Sequence, residues 1–384
     1  MAVRGNSGSE ATSIAAALAD CAALLRTQTL RSVAAKRAAQ ARLRFADDYL
    51  PWRRVLGLYP LTAIPFRAGI ERFSRATHAV FELPVERLPV QGRLLAWEPA
   101  LDEPPPTFAA VAEILRRSAE NPLHIPEPDP HAAQLLFAAF APAFHIDVAS
   151  DDDRIGAATW RADGWPRIDV ADPVVYRLMS HARFAGQILL QLNYVVWFPS
   201  RPSDSSFDTL AGQLDGITWR VTLSPDGHPL LYDTIHNCGC YHWFFPTGRV
   251  HPRPPPQNLE ETAFTPQSAP ELSQGERIEL RIAHRTHYIE RVRAVGPLPD
   301  GRSTYRMADY DELRSLPRTA GARRSLFEPD GLVAGSERLE RYLFWPMGIA
   351  SPGAMRQWGH HATAFVGRRH FDDPDLLQSA FAPQ

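Results

Sequence analysis

Residues 236–242 read His-Asn-Cys-Gly-Cys-Tyr-His and concentrate metal-ligating side chains. Cys238 and Cys240, two of the three cysteines, stand one residue apart, with His236 and His242 two residues outside them. Thiolate and imidazole together suit a soft transition metal, zinc or copper. Spacing by two places all four side chains on one face of a regular strand. A straight strand would hold His236 and His242 roughly 20 Å apart, while zinc ligands lie about 2.0–2.3 Å from the ion. A single centre therefore requires the chain to turn at Gly239, where the backbone permits it. With that turn Cys238 and Cys240 form a chelating pair or a disulfide beside one histidine, and the other ligands come from elsewhere. The competing reading makes the same residues core at a strand end.

Other titratable groups lie within reach in sequence. Asp208 and Asp215 precede a β-like run at 217–223, and Asp233 lies in the run that follows it. His284 and His287 straddle a strand junction. Asp215 and His287 are the acid–base residues expected beside the His/Cys site, the alternative being turn caps and exposed polar groups. His360 and His361 are adjacent, with His370 nearby, so at most one of the pair points into a given site. The run Ser150-Asp151-Asp152-Asp153-Arg154 lacks the spacing and closing Glu of a calcium loop and reads as a solvated turn. No G-x-S-x-G is present. A cysteine nucleophile at Cys238 or Cys240 would take its base from His236, His242 or His287.

Positioning these groups falls to a chain of 384 residues, 45% apolar and 22% charged, as in a globular protein. The net charge of −2 gives no electrostatic case for nucleic acid. Lys36 is the sole lysine, and neither a phosphate-binding G-x-x-x-x-G-K-[ST] nor a G-x-G-x-x-G occurs, so no nucleotide cofactor is expected. No run of about 18 apolar residues predicts a transmembrane segment. Around Cys21 the apolar run is short, and Asp20 stands where a lipoprotein signal wants a small residue. The cytoplasm is expected, with the periplasm or a lipid anchor if the start lies elsewhere.

The pattern predicts an α+β protein. Residues 1–130 read as a helical, proline-punctuated N-terminal region packing on the core, with helices over 12–46 and 107–119. Arg26, Arg31, Arg37, Arg42 and Arg44 make the first helix basic, which suits a solvated face or an acidic or membrane-surface partner. Residues 131–325 read as a β-rich core domain: a helix at 131–144, then β-branched, aromatic runs at 145–149, 157–162, 167–171, 187–198, 217–223, 229–236, 277–285 and 287–295. Ser-Pro-Asp-Gly at 224–227 predicts a hairpin between 217–223 and 229–236. Many short strands joined by turns predict an antiparallel, sandwich-like core. Residues 326–384 read as an irregular tail returning to the core.

Over about residues 190–290 the order of segments resembles the β-sandwich core of necrosis- and ethylene-inducing-like proteins and their vacuolar-sorting-associated relatives. Trp197-Phe198-Pro199, Trp219-Arg220-Val221, Thr234-Ile235-His236 and Thr286-His287 fall in that family's order. The resemblance implies a sandwich and carries over His236 and His287 as site residues. Thr218 and Arg220 replace the acidic pair around the family's tryptophan, so its metal-binding carboxylates do not transfer, nor does toxin activity. Asp215 is the nearest remaining acid.

Three functions follow as expectations. The first is a metal-dependent enzyme, hydrolytic or oxidative, with the ion on His236, Cys238, Cys240 and His242. The second is a non-catalytic metal- or ligand-binding protein that uses the aromatic segments 194–198 and 342–345. The third is an interaction module with structural cysteines, acting through its N-terminal helix. The substrate or small-molecule ligand is not specified by any of these features.

Overall fold

The strand-forming runs of the sequence assemble into one sheet. In the computed structural model, which describes residues 7–42, 47–205, 207–254, 260–296, 303–318 and 321–384, ten strands curl into a half-barrel. They are β1 (Arg93–Pro99), β2 (Ala143–Val148), β5 (Val174–Phe184), β6 (Gln187–Arg201), β7 (Gly212–Leu223), β8 (Pro229–His236), β9 (Trp243–Pro246), β11 (Arg277–Ile282), β12 (Ile289–Val295) and β13 (Ser303–Asp309). A side hairpin of β3 (Ala157–Trp160) with β4 (Pro166–Asp169) and the short β10 (Val250–Pro252) stand apart from it. The order across the sheet is β12-β11-β2-β1-β13-β5-β6-β7-β8-β9.

The α+β class and most strand positions agree with the sequence reading. The hairpin predicted from Ser-Pro-Asp-Gly is present, with Thr218 opposite Ile235 and Trp219 opposite Thr234. The arrangement is a single curled sheet rather than a clear sandwich, and it is mixed. β1 runs parallel to β13, β13 parallel to β5, and β11 parallel to β2. β1 comes from within the first 130 residues and sits between β2 and β13, so that region supplies a strand as well as helices.

Both faces of the central strands are covered, so their apolar runs are nearly continuous. Alternation along β6 sends Leu190, Leu192, Tyr194, Val196 and Phe198 to one core and Val195 and Trp197 to another. The first core, on the inner face, packs under α4 (Tyr59–Glu82), α5 (Phe108–Ser118) and α6 (Pro130–Phe140). Thr107 and Asp129 cap α5 and α6 by accepting from Ala110 N and Ala132 N. The outer face is covered by the C-terminal tail, through Leu326, Phe327, Val333 and Met355.

The N-terminal segment predicted as helix over 12–46 divides into α1 (Ser7–Thr29) and α2 (Val33–Arg42); residues 43–46 lie outside the described residues. Arg26 of α1 pairs with Glu127, and Lys36 of α2 donates to the Pro122 carbonyl, which ties both helices to the connector before α6. The aromatic, proline-rich stretch after residue 49 forms α3 (Pro51–Leu56) and α4. No helix among the described residues is long and apolar enough to cross a membrane.

Candidate functional site

The stretch 236–242 does turn at Gly239, whose φ is +92°. Gly239 N donates to the His236 carbonyl at 2.7 Å, and His236 N to the Cys240 carbonyl at 3.0 Å. The turn does not gather the four predicted ligands. His236 lies opposite Ile217 on β7, so its side chain shares the inner face with Ile217 and Trp219. His242 meets Asp233, which lies opposite Arg220 on the outer face. Cys238 and Cys240 are buried free thiols in the outer-face core with Trp197, Leu214 and Met355. The Cys240 thiol donates to Cys238, which lowers Cys238 and, with burial, raises Cys240 well above its ordinary value. Among the described residues no three His, Cys, Asp or Glu side chains group as ligands for a metal ion. Strand parity, which seemed to align the ligands, instead divides the two histidines across the sheet.

Asp215 and His287, the expected acid–base pair, are in contact. His287 Nδ1 is 2.8 Å from Asp215 Oδ2. The other ring nitrogen, Nε2, is 3.6 Å from Asp153 Oδ1, so the imidazole bridges two carboxylates. The ring lies flat on Phe198, with centroids 3.9 Å apart and planes within 2°. Asp215 also receives Arg338 at 3.2 Å and faces His236 Nδ1 at 3.6 Å. Gly216 permits this corner: a Cβ there would meet Asn237 Nδ2 at 2.1 Å and the Val196 carbonyl at 2.5 Å, the two atoms that hydrogen-bond each other.

Asp153, expected in a solvated turn, is fully buried. It accepts from Ala149 N, Ser150 N, Arg285 N and His284 Nδ1 at 2.6–3.1 Å. The turn from β11 to β12 aims the last two of these donors, with Arg285 and His287 both in left-handed backbone at φ of +62° and +53°. Leu214 at +59° and Tyr241 at +60° are likewise strained, so four of the eight non-glycine residues with such backbone among those described surround one place. Each such conformation costs about 1–3 kcal/mol, and strain of this kind collects at sites where geometry is over-determined.

Burial opposes ionisation of Asp215, but Arg338 and the hydrogen bonds from His236 and His287 outweigh it and hold the carboxyl well below its ordinary range. Burial likewise opposes a charged His287, yet Asp153 and Asp215 prevail and raise it above 6.5. His236 goes the other way, lowered chiefly by burial despite Asp215, and so is neutral. The corner thus holds an imidazole drawn toward its charged form between two carboxylates.

Beside it opens a cavity of about 760 Å³ between α4 and the end of the sheet, within the size of small-molecule sites. Phe66, Ile70 and Phe73 of α4 face Phe264, Phe344 and Phe365 across it. Tyr241, Cys240 and Glu340 supply polar groups. Tyr241 donates to Tyr288, whose hydroxyl accepts from Arg201 at 3.4 Å, and the three rings of Tyr241, Tyr288 and His236 meet edge to face within 4.7–5.5 Å. Glu340 is buried, and burial with the nearby charges of Asp215 and Asp208 raises its carboxyl to about 7 against the pull of Arg338 and Arg201.

Sequence reasoning missed Glu340, Tyr241, Tyr288, Arg201 and Arg338 as members of this site. Arg338 and Glu340 reach it from a loop more than 100 residues away, with no motif to mark them. Of the other candidates, Asp208 pairs with Arg285 at 3.2 Å, Asp233 lies on the outer face, and His361 is buried against Phe371 of the tail. Comparison of the chain with protein-family models, curated proteins and solved structures returned no match.

Proposed function

We propose that the protein is an acid–base enzyme acting on a small, mainly apolar molecule held in the cavity between α4 and the sheet. The observation that carries this reading is Glu340: a buried carboxyl on the wall of an apolar cavity, beside a hydrogen-bonded tyrosine chain. A carboxyl poised near neutrality accepts and returns a proton at low cost. Tyr241 offers its oxygen to the same space, and Tyr288 and Arg201 behind it orient the hydroxyl. The Asp215–His287–Asp153 array fixes the positions of the groups in front of it and the field they feel. The reaction class is proton transfer to and from the bound molecule, with Glu340 as the exchanging group.

A metal-dependent reaction at His236, Cys238, Cys240 and His242 is less well supported, because the two histidines project from opposite faces. Non-catalytic binding of the same ligand class differs only in the role of Glu340. The decisive test uses Gly69, which lines the cavity and where an added Cβ meets nothing within 4 Å. Gly69→Phe should fill the space without disturbing the fold. An apolar fluorescent probe such as N-phenylnaphthylamine is expected to bind the wild type and to lose at least about tenfold in affinity in Gly69→Phe. No binding, or binding indifferent to the substitution, overturns the reading. Once a turned-over substrate is in hand, Glu340→Gln should cost about 10²–10⁴ in rate while probe affinity is kept. An unchanged rate leaves a binding protein.

A further inference from the structure

The face of α3 and α4 turned away from the cavity is apolar and uncovered. Trp52, Val55 and Leu56 share one side of α3 at helical spacing, Leu61 and Ile64 do so on α4, and Leu58 joins them. Each of the six is exposed over more than half its surface. Tyr342 and Leu343 of α7 (Arg341–Phe344) are exposed to the same degree. A patch of this extent on a folded chain marks an interaction surface.

Two features indicate what covers it. The first is continuity with the cavity. Ile64 is followed in α4 by Pro65 and Phe66, and Leu343 by Phe344, all of which line the cavity. The exposed face is therefore the outer lip of an apolar interior. The second is charge. Residues 51–82 carry five arginines (53, 54, 67, 72 and 75) against two glutamates (71 and 82), in a chain whose net charge is −2. Arg67 pairs with Glu71, Arg53 and Arg54 donate to the carbonyls of Ile349, Met347 and Gly367, and Arg72 and Arg75 have no acidic partner among the described residues. Apolar side chains with a tryptophan, flanked by unneutralised arginines, match the interface of a membrane bearing anionic lipid.

We propose that the α3–α4 face docks on the surface of an anionic lipid bilayer, and that the cavity behind it receives a lipid chain from that surface. The docking stands on the exposed face itself; the lipid as ligand rests on the cavity reading above. No span is involved: the helices lie in the interface, with Trp52, Leu61 and Ile64 inserted and the arginines at the headgroups.

The test is co-sedimentation of the full-length protein with vesicles of phosphatidylcholine, with and without phosphatidylserine. Binding is expected with phosphatidylserine, several-fold less without it, and weaker as salt rises. The triple variant Trp52→Glu, Leu61→Glu, Ile64→Glu should lose about a hundredfold in vesicle affinity. Its circular dichroism and its binding of cis-parinaric acid, a fatty-acid probe, should stay as in the wild type. Absence of vesicle binding, with cis-parinaric acid still bound, overturns the docking and leaves the cavity reading intact. Vesicle binding without any uptake of the probe overturns the lipid ligand and keeps the docking. If the wild type ignores vesicles but self-associates by light scattering, and the triple variant does not, the face is an interface between copies and the proposal fails.

Discussion

Two buried histidine–aspartate–arginine clusters lie back to back across β7 and β8. On the outer face Asp233 accepts from Arg220 Nε at 2.8 Å and His242 Nε2 at 2.9 Å, while Arg220 also donates to the Phe371 carbonyl at 2.7 Å and lies 3.7 Å over the Phe371 ring. The tail covers Arg220, and His242 also reaches the cavity wall. On the inner face Asp215, His287, His236 and Arg338 use the same residue types. There Asp215 Oδ1 lies 3.2 Å from Arg338 and 3.6 Å from His236 Nδ1, His287 Nε2 lies 3.6 Å from Asp153 Oδ1, and the cluster reaches the cavity through Tyr241, whose ring meets that of His236. The same residue types thus make a close ion-pair clamp on the outer face, where Asp233 takes Arg220 and His242 at hydrogen-bond distance, and a longer-range array on the inner face, held by strained turns behind Tyr241 of the cavity wall.

The comparison breaks most visibly at the clamp. Asp233→Ala leaves Arg220 buried without its counter-charge and should cost about 3–5 kcal/mol in urea unfolding. A loss below about 1 kcal/mol would remove the structural role given to the outer cluster.

The two histidines should then differ in the sign of their pH dependence. His287 is raised in the fold, so its contribution is complete below about pH 6.5 and fades as pH climbs through its folded value. The stability gap between wild type and His287→Ala should shrink steadily as pH rises from 6.5 toward 9. His242 is lowered to about 4, chiefly by burial, and its contribution is complete above 6.5 and fades as pH falls toward 4. The gap for His242→Ala should hold above neutrality and narrow in acid. Parallel slopes in thermal unfolding across pH would erase the distinction.

The smallest effect is expected at the cysteines between the clusters. Cys238→Ser with Cys240→Ser should lower stability by about 1–3 kcal/mol, as polar groups enter an apolar core. Elemental analysis should find no stoichiometric zinc or copper in the wild type. One equivalent of either, lost in the double variant, would restore the metal reading.

How much of this was legible depended on whether the signal was local. Period-two patterning located β6, β7 and β8, and Pro225 with Gly227 fixed their hairpin. Asp215 and His287 were singled out and do meet. The mistake at His236 and His242 was also local in origin: equal parity implies a shared face only while the strand runs on, and the turn at Gly239 resets it. β1, β5, β9 and β13 were missed. β1 stood in a region whose helices and prolines dominated the reading, and β13 follows residues 297–302, which lie outside the described residues. Arg201, Arg338 and Glu340 were beyond reach because a buried charge and a surface charge look alike until the fold brings their partners together.

β13 has a consequence for how the chain is made. Among the described residues, the seven of Ser303–Asp309 are the only strand joining β12-β11-β2-β1 to β5-β6-β7-β8-β9. Until they emerge from the ribosome the half-barrel exists as two separate sheets, each with a bare edge, at β1 and at β5. Nascent chains stalled or truncated before residue 303 would carry both edges unpaired, open to pairing with other chains. Docking of this one short strand therefore closes two open edges at once.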